Sequence, residues 1–321
     1  MSNKNLKPRK TSLIYITTKY SNNEEECKKF FFNSKWPTGY ICPKCGCIHF
    51  DQIKRHNVFQ CKHCKHQEYL HSGTIFQDNK LPLFSLILAL YLVFSSNKGI
   101  TAVELSTQLN VDYKTALRLN KKCRILMSES NGRHKLDDPF YEADVAYIGT
   151  SDKHGKRGLG SSKQAFLIIL GTNSFNNYPT YALAKTIIVD NQKNIDEIFD
   201  KQVILNKTKT LTTDGKTTFC NLKDKVNLNS VKINYKNKNH ELKYLNILIS
   251  NIKNNILGIY HGISKRDLPL FINEAIWRFN HRYVGNSLMN KISNYITMSQ
   301  PFTDQMLKIG LNTYALTLDV S

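Results

Sequence analysis

Two aspartates lie in short stretches that have the composition of β-strands. Asp144 is inside Phe140–Gly149, a run of apolar, aromatic and β-branched residues, and Asp214 stands near the end of Lys209–Gly215, just before a glycine. Aspartate is disfavoured in strands and costly to bury without a partner, so one alone would indicate an edge strand that faces water. Two of them in a basic chain predict a Mg²⁺ or Mn²⁺ site for phosphate chemistry, because these cations prefer oxygen ligands.

Four of the eight cysteines form a metal-binding pattern. Cys42 and Cys45 make one C-x₂-C pair, Cys61 and Cys64 make another, and fifteen residues separate the pairs. This spacing predicts a four-thiolate ribbon with one structural Zn²⁺, in which Ile48–Gln60 supplies the hairpin between the two knuckles. A zinc pattern rather than a disulfide framework indicates a reducing, intracellular setting.

A helix-turn-helix is predicted after the ribbon. Thr101 and Glu104 have the spacing of a capping box at the start of one helix, and Asp112 can cap a second. The second helix carries four basic residues that are candidates for DNA contact: Lys114, Arg118, Lys121 and Lys122. The pattern fits a recognition helix, although a plain helical hairpin in a core has the same features.

The charge of the chain indicates a polyanionic partner. The 321 residues carry a formal net charge of +20, and 41% of them are hydrophobic, which is enough for a core. Nucleic acid is the first candidate partner and an anionic membrane the second. The longest apolar run, Leu81–Phe94, is interrupted by Pro82 and Ser85 and is too short to span a bilayer. Since no secretory signal is visible either, we expect a cytoplasmic protein without a membrane partner.

The second half of the chain alternates strands and helices. Strands are predicted at Phe140–Gly149, Gln164–Gly171, Tyr181–Val189, Thr208–Asp214 and Ser230–Tyr235. Helices are predicted at Asn191–Phe199, Lys216–Lys225, Glu241–Leu257 and Asp267–Arg282, and earlier at Asn22–Trp36 and Lys80–Ser95. This order predicts a mixed α/β fold of the ribonuclease-H-like kind. In that layout the first and fourth strands are neighbours, so Asp144 and Asp214 approach each other.

Five regions follow from these patterns. We expect a basic tail with a short helix at 1–38, the zinc ribbon at 39–75, and the helix-turn-helix at 80–130. The ribonuclease-H-like core is expected at 138–285, after a polar linker, and a C-terminal tail at 286–321.

Several motifs in this order resemble one family. The chain is similar, over roughly residues 25–285, to bacterial insertion-sequence transposases of the ISXO2-like group, which combine a zinc ribbon, a helix-turn-helix and a DDE-type core. The resemblance is carried by Cys42-Pro-Lys-Cys-Gly, Ser72-Gly-Thr-Ile-Phe, Lys80-Leu-Pro-Leu, Lys98-Gly-Ile-Thr-Ala-Val-Glu-Leu-Ser, Lys156-Arg-Gly-Leu-Gly-Ser-Ser-Lys, Thr213-Asp-Gly, Ile249-Ser-Asn-Ile-Lys-Asn-Asn-Ile-Leu-Gly-Ile-Tyr-His-Gly and Arg278-Phe-Asn-His-Arg.

The resemblance implies an activity and a set of site residues. It implies a nucleoid-associated DNA transposase that binds the terminal inverted repeats and the target DNA, as a homodimer or higher oligomer. Two Mg²⁺ or Mn²⁺ ions would support DNA cleavage and strand transfer. The motif maps onto Asp144, Asp214 and Asn251 as metal ligands, with Lys253 as a phosphate contact. Without the motif, Asn251 would be interpreted as an exposed helical residue.

Alternatives remain for the third ligand and for the function. Glu241 and Glu274 are rival carboxylates, although Arg278 four residues after Glu274 favours a simple ion pair. The family usually has Glu and Thr directly after the first aspartate, where this chain has Val145 and Ala146. A decayed copy that only binds DNA is therefore one alternative function, and a ribonuclease-H-like nuclease is another.

Overall fold

The computed structural model describes residues 12–53, 58–149, 163–173, 178–187, 191–231, 242–260, 263–283 and 285–302. The chain divides into two compact units, one combining the residues up to Leu126 with those from Tyr283 onward, the other formed by Met127–Arg282. Within the described residues, no helix is both long enough and apolar enough to cross a membrane. Glu241, the predicted turn at 151–162 and most of the Lys156 motif lie outside the described residues.

The first unit begins with two helices, α1 (Leu13–Tyr20) and α2 (Glu24–Lys35). In α2, the side chain of Asn23 accepts a hydrogen bond from the backbone N–H of Glu26, as the sequence predicts for a helix with glutamates in its first turn. Helix α1 lies in a stretch whose sequence predicts a polar tail. The buried Ile16 and Tyr20 explain why it folds.

A three-stranded antiparallel sheet follows, formed by β1 (Phe50–Ile53), β2 (Val58–Cys61) and β3 (Gln67–Tyr69). This small sheet has little core of its own. Aromatic rings from α2, from the loop after it and from the sheet form its apolar side, with neighbouring centroids 4.8–5.9 Å apart: Phe32, Trp36, Tyr40, Phe50 and Phe59. Packed aromatic pairs of this kind stabilise a sheet that is too small to hold together alone.

The rest of the first unit is helical: α3 (Leu83–Ser95), α4 (Ala102–Leu109), the first part of α5 (Tyr113–Gly132) and α9 (Leu288–Thr297), which follows a short 3₁₀ helix at Gly285–Ser287. The sequence analysis treated the region from 286 as a tail. Instead α9 packs against α2 and α3 and buries Leu288, Ile292 and Ile296. Its apolar residues recur at helical spacing, a signal that the sequence analysis did not use.

The second unit contains a five-stranded sheet. Its strands are β4 (Phe140–Ile148), β5 (Gln164–Thr172), β6 (Pro179–Ile187), β7 (Thr210–Thr213) and β8 (Asn227–Ser230). Their order is β6-β5-β4-β7-β8; the pairs among β4, β5 and β6 are antiparallel, and β7 is parallel to both β4 and β8. The ribonuclease-H-like α/β fold predicted from the sequence is confirmed.

Helices cover both faces of this sheet. They are α6 (Gln192–Gln202), a 3₁₀ helix at Thr217–Asp224, α7 (Lys243–Tyr260) and α8 (Leu268–Asn280). Helices α7 and α8 pack on the face that contains Ala146, Ile148 and Phe166. Helix α6 and the 3₁₀ helix pack on the face that contains Tyr141, Ala143 and Val145.

Two predicted elements of this unit differ in detail from the observed ones. The last described strand is Asn227–Ser230, which pairs with β7, whereas residues 232–235 of the strand predicted at Ser230–Tyr235 lie outside the described residues. The segment predicted as a short helix at Lys216–Lys225 is a 3₁₀ helix. The ends of the other predicted elements differ from the observed ones by a few residues, which is usual for helix and strand boundaries.

Candidate functional site

Asp144 and Asp214 lie on neighbouring strands, as predicted. Strands β4 and β7 run parallel with Ala143 opposite Thr213, so Asp144 comes next on β4 and Asp214 comes directly after the end of β7. Side chains alternate between the faces of a strand, which places Asp144 on the same face as Ala146. That is the face covered by α7 and α8. The two carboxylates therefore meet at one side of the sheet.

A lysine lies between these carboxylates. The Nζ of Lys216 is 2.7 Å from Oδ1 of Asp144 and 3.1 Å from Oδ2 of Asp214, and it also donates to the backbone carbonyl of Val145 at 3.1 Å. Lys216 is not among the site residues predicted from the sequence, although it lies only two residues after Asp214. One ammonium thus contacts both carboxylates at once.

The charges of this cluster affect one another. Burial raises the pKa of Asp144, the charge of Lys216 opposes that rise, and the charge of Asp214 adds to it. Of the two effects that raise this pKa, burial is larger than repulsion by Asp214. Burial lowers the pKa of Lys216, and the two carboxylates more than offset this, so its net pKa is raised.

A second carboxylate on β4 holds the start of α7. Glu142 is buried two residues before Asp144, and its Oε2 accepts a hydrogen bond from the backbone N–H of Leu245 at 3.2 Å. Leu245 is in the first turn of α7, where backbone N–H groups have no partner within the helix. Burial raises the pKa of Glu142 to about 7. The strand of Asp144 is therefore joined directly to α7.

The two flanks of α7 face different parts of the sheet. Residues seven apart lie on the same side of a helix, so Asn246 shares a flank with Lys253, and Tyr244 shares one with Asn251. The ring of Tyr244 is 6.5 Å from that of Tyr178, which directly precedes the edge strand β6. The flank that Asn251 shares therefore carries the ring that lies near the start of β6, and the side chain of Asn251 is exposed.

The other flank of α7 lies near the aspartates. Burial lowers the pKa of Lys253, the negative charge of Asp144 opposes this, and the positive charge of Lys163 reinforces it. These effects place Lys253 within electrostatic range of both residues. The buried Nδ2 of Asn246, on the same flank, has no hydrogen-bond partner among the described residues. A buried NH₂ group without a hydrogen-bond partner is costly unless a ligand supplies that partner. Rotation of the Asn246 amide by half a turn would place Oδ1, which can bind a cation, where Nδ2 now lies.

Of the two rival carboxylates, Glu274 is engaged elsewhere in the structure. Glu274 is buried and bound to Arg278, whose Nη2 is 2.6 Å from its Oε1, and Tyr260 donates to it at 3.2 Å. The ion pair expected from the sequence is thus present. Glu241 lies outside the described residues. Val145 packs in the core on the opposite face of the sheet from Asp144, so the departure from the family motif at this position does not alter the aspartate cluster directly.

The donor set fits a divalent cation. Two carboxylates lie close enough to share one ammonium, and a buried amide lies on the adjacent helix flank. Oxygen ligands of this kind are those that Mg²⁺ and Mn²⁺ prefer. The arrangement can therefore hold a hard cation, with Lys163 and Lys253 nearby as positive groups for a polyanion.

The four cysteines of the ribbon come together. The sulfurs of Cys42 and Cys64 are 3.6 Å apart, those of Cys45 and Cys61 are also 3.6 Å apart, and all four lie within 4.8 Å of one another. A tetrahedral zinc ion with Zn–S bonds of about 2.3 Å needs sulfurs about 3.8 Å apart. The backbone N–H of Cys64 contributes most to lowering the pKa of the Cys61 thiol, to about 6. This geometry supports a structural Zn²⁺.

The basic residues of α5 differ in exposure. Asp112 caps the helix by accepting from the backbone N–H of Thr115 at 2.9 Å, after a turn in which Asn110 adopts a left-handed conformation (φ 50°). Lys114 and Arg118 are exposed and Lys121 is half-buried. Lys122, however, is 5% exposed, and its Nζ lies 3.4 Å from the carbonyl of Gln77. We therefore leave Lys122 out of the candidate DNA surface.

Comparison with known proteins gives two family matches. The model of the transposase zinc-ribbon domain matches residues 22–67, and the model of the ISXO2-like transposase domain matches residues 135–280. No curated protein matches the chain. The first match contains the four-cysteine cluster, and the second contains both aspartates, Lys216 and α7. The chain belongs to the IS1595 family of insertion-sequence transposases.

Proposed function

We propose that this protein binds the terminal inverted repeats of an insertion sequence and catalyses metal-dependent DNA cleavage and strand transfer. The observation that supports this most directly is the pair Asp144 and Asp214, on adjacent strands of a ribonuclease-H-like sheet, in contact with one shared cationic group. Transfer of a phosphoryl group between oxygens needs metal ligands and positioning more than covalent catalysis by the protein.

Asp144 and Asp214 would hold Mg²⁺ or Mn²⁺, and Asn246 is our candidate for the third ligand in place of Asn251. Bound ions, two in our proposal, would activate water or a DNA 3′-hydroxyl as the nucleophile and stabilise the leaving 3′-oxygen. Lys253, which is within electrostatic range of Asp144, and Lys163, which is within range of Lys253, would hold the scissile phosphate. Glu142 would keep α7 in position on the strand of Asp144.

The N-terminal region would recognise the element ends. The ribbon and the helix pair α4–α5 would form the DNA-binding part, with Lys114, Arg118 and Lys121 as contacts in the manner of a recognition helix. The net charge of +20 would add affinity for DNA of any sequence. Because an element has two ends that must be cut and joined together, we propose that a homodimer or higher oligomer acts on DNA.

The test is an end-cleavage and joining assay with Mg²⁺ or Mn²⁺, run beside a binding assay on the same DNA. Asp144→Asn and Asp214→Asn are expected to lower cleavage by more than about a hundredfold, since outer-shell changes alone cost that much at metal sites. Binding of the ends should be retained, because other residues position the DNA. Asp224→Asn, an exposed aspartate of the same unit, is the matched control.

Three outcomes would count against the proposal in different ways. Full cleavage by either aspartate variant would remove the metal site. Binding without cleavage by the unmodified protein would favour a decayed copy. Cleavage without joining of pre-cut ends would favour a nuclease.

A further inference from the structure

Lys216 makes contacts that a metal ion at the proposed site would also make. Its Nζ lies 2.7 Å from Asp144 and 3.1 Å from Asp214, and these are two of the proposed metal ligands. The ammonium and a divalent ion cannot occupy this space together, because both are cations and both need the same carboxylate oxygens. Lys216 must therefore move when a metal binds between the two aspartates.

The surroundings of Lys216 allow such a movement. Its side chain is 33% exposed, so it is not enclosed by the core. It follows Gly215, which adopts a left-handed conformation (φ +81°), and precedes the 3₁₀ helix without making a side-chain cap bond to it. A lysine carries its charge on a flexible four-carbon stem, so the ammonium can leave the carboxylates while the backbone stays in place.

We propose that Lys216 is an internal counter-ion that stabilises the metal-free site and competes with the catalytic metal. This inference rests on the proposed function, because it assumes that Asp144 and Asp214 are metal ligands. In the absence of metal, the ammonium neutralises two carboxylates that otherwise repel each other, one in the middle of β4 and the other directly after β7. When metal is added, it must displace the Lys216 ammonium from the two carboxylates. Lys216 therefore raises the metal concentration that is needed to fill the site.

The test compares Lys216→Met, which keeps the length of the side chain and removes its charge, with Lys223→Met as the matched control. Lys223 is an exposed lysine in the 3₁₀ helix that follows Lys216. Mn²⁺ binding to the full-length protein without DNA is measured by calorimetry. Thermal unfolding is measured after dialysis that removes loosely bound divalent ions, with the zinc content of the ribbon checked afterwards, and again with saturating Mn²⁺.

Lys216→Met is expected to bind Mn²⁺ at least about tenfold more tightly than the unmodified protein, because a neighbouring positive charge is removed. The same variant should unfold at a lower temperature without Mn²⁺, and saturating Mn²⁺ should remove this difference. Lys223→Met should match the unmodified protein in both measurements. The combination of tighter binding and a defect only in the metal-free state is not expected for a lysine with a purely structural role.

The contrary results separate this inference from the proposed function. Equal or weaker Mn²⁺ binding by Lys216→Met would overturn the competition while leaving the metal site intact. Mn²⁺ binding by neither protein would overturn both the metal site and the inference. Unchanged unfolding of Lys216→Met without Mn²⁺ would overturn the counter-ion role even if the metal binds.

Discussion

Glu142 of β4 and Leu245 of α7, 103 residues apart in the chain, are joined by a hydrogen bond of 3.2 Å between the Glu142 carboxylate and the Leu245 backbone N–H. The bond connects the strand that carries Asp144 to the helix that carries Asn246 and Lys253. Because the first N–H groups of a helix have no partner within it, a buried acceptor at this point fixes both the position and the rotation of α7. The rotation decides which residues of α7 face the aspartates.

Substitutions at Glu142 should show whether it stabilises the fold as a hydrogen-bond acceptor or through its negative charge. Burial raises the pKa of Glu142 to about 7, so a neutral side chain is tolerated at this position. Glu142→Gln keeps an acceptor and should change the free energy of unfolding by less than about 1 kcal/mol. Glu142→Leu leaves the Leu245 N–H unsatisfied and should cost about 1–3 kcal/mol in denaturant unfolding. Equal stability of the two variants would contradict this role of the hydrogen bond.

The third ligand can be tested by comparing two asparagines of one helix. Asn246→Ala should lower cleavage by more than about tenfold, because it removes the buried amide on the flank of Lys253. Asn251→Ala changes an exposed side chain on the opposite flank and should leave cleavage within about twofold. Both variants should bind DNA ends like the unmodified protein. A loss confined to Asn251→Ala would restore the assignment made from the motif.

The ribbon should depend on its metal. Purified protein is expected to contain about one zinc per chain, following the four-ligand rule, and Cys42→Ser should lose it. Because the ligands are brought together only in the folded state, zinc removal should unfold the ribbon, which circular dichroism and proteolysis would detect. Cys220→Ser, which replaces an exposed cysteine outside the cluster, is the control. A full zinc content in Cys42→Ser would contradict the four-cysteine site.

DNA recognition should depend on the exposed basic residues of α5. Lys114→Ala and Arg118→Ala should reduce discrimination between the terminal repeat and unrelated DNA if this helix enters the major groove. Each lost phosphate contact should also reduce the steepness of a plot of log binding constant against log salt concentration by about one. Lys193→Ala, an exposed lysine of α6, is the control. Unchanged discrimination in both variants would place sequence recognition elsewhere.

The amino-acid sequence by itself was sufficient for the features that depend on local spacing and on element order. The two C-x₂-C pairs predicted the cysteine cluster, since each pair closes a knuckle within a few residues. The succession of strands predicted that β4 and β7 are neighbours, and so that Asp144 and Asp214 meet. The domain boundaries remain predictions.

Only the tertiary structure decided which side chains join these groups. The motif suggested Asn251 as the third ligand, and the packing of Tyr244 near Tyr178 on the same flank of α7 is the reason that we propose Asn246 instead. The sequence predicts Lys122 as a DNA contact and gives no role to Lys216, whereas the fold buries Lys122 and places Lys216 between two carboxylates. The physical reason is that the rotation of a helix and the burial of a side chain are set by contacts between residues far apart in the chain. The spacing of residues within one segment does not contain this information.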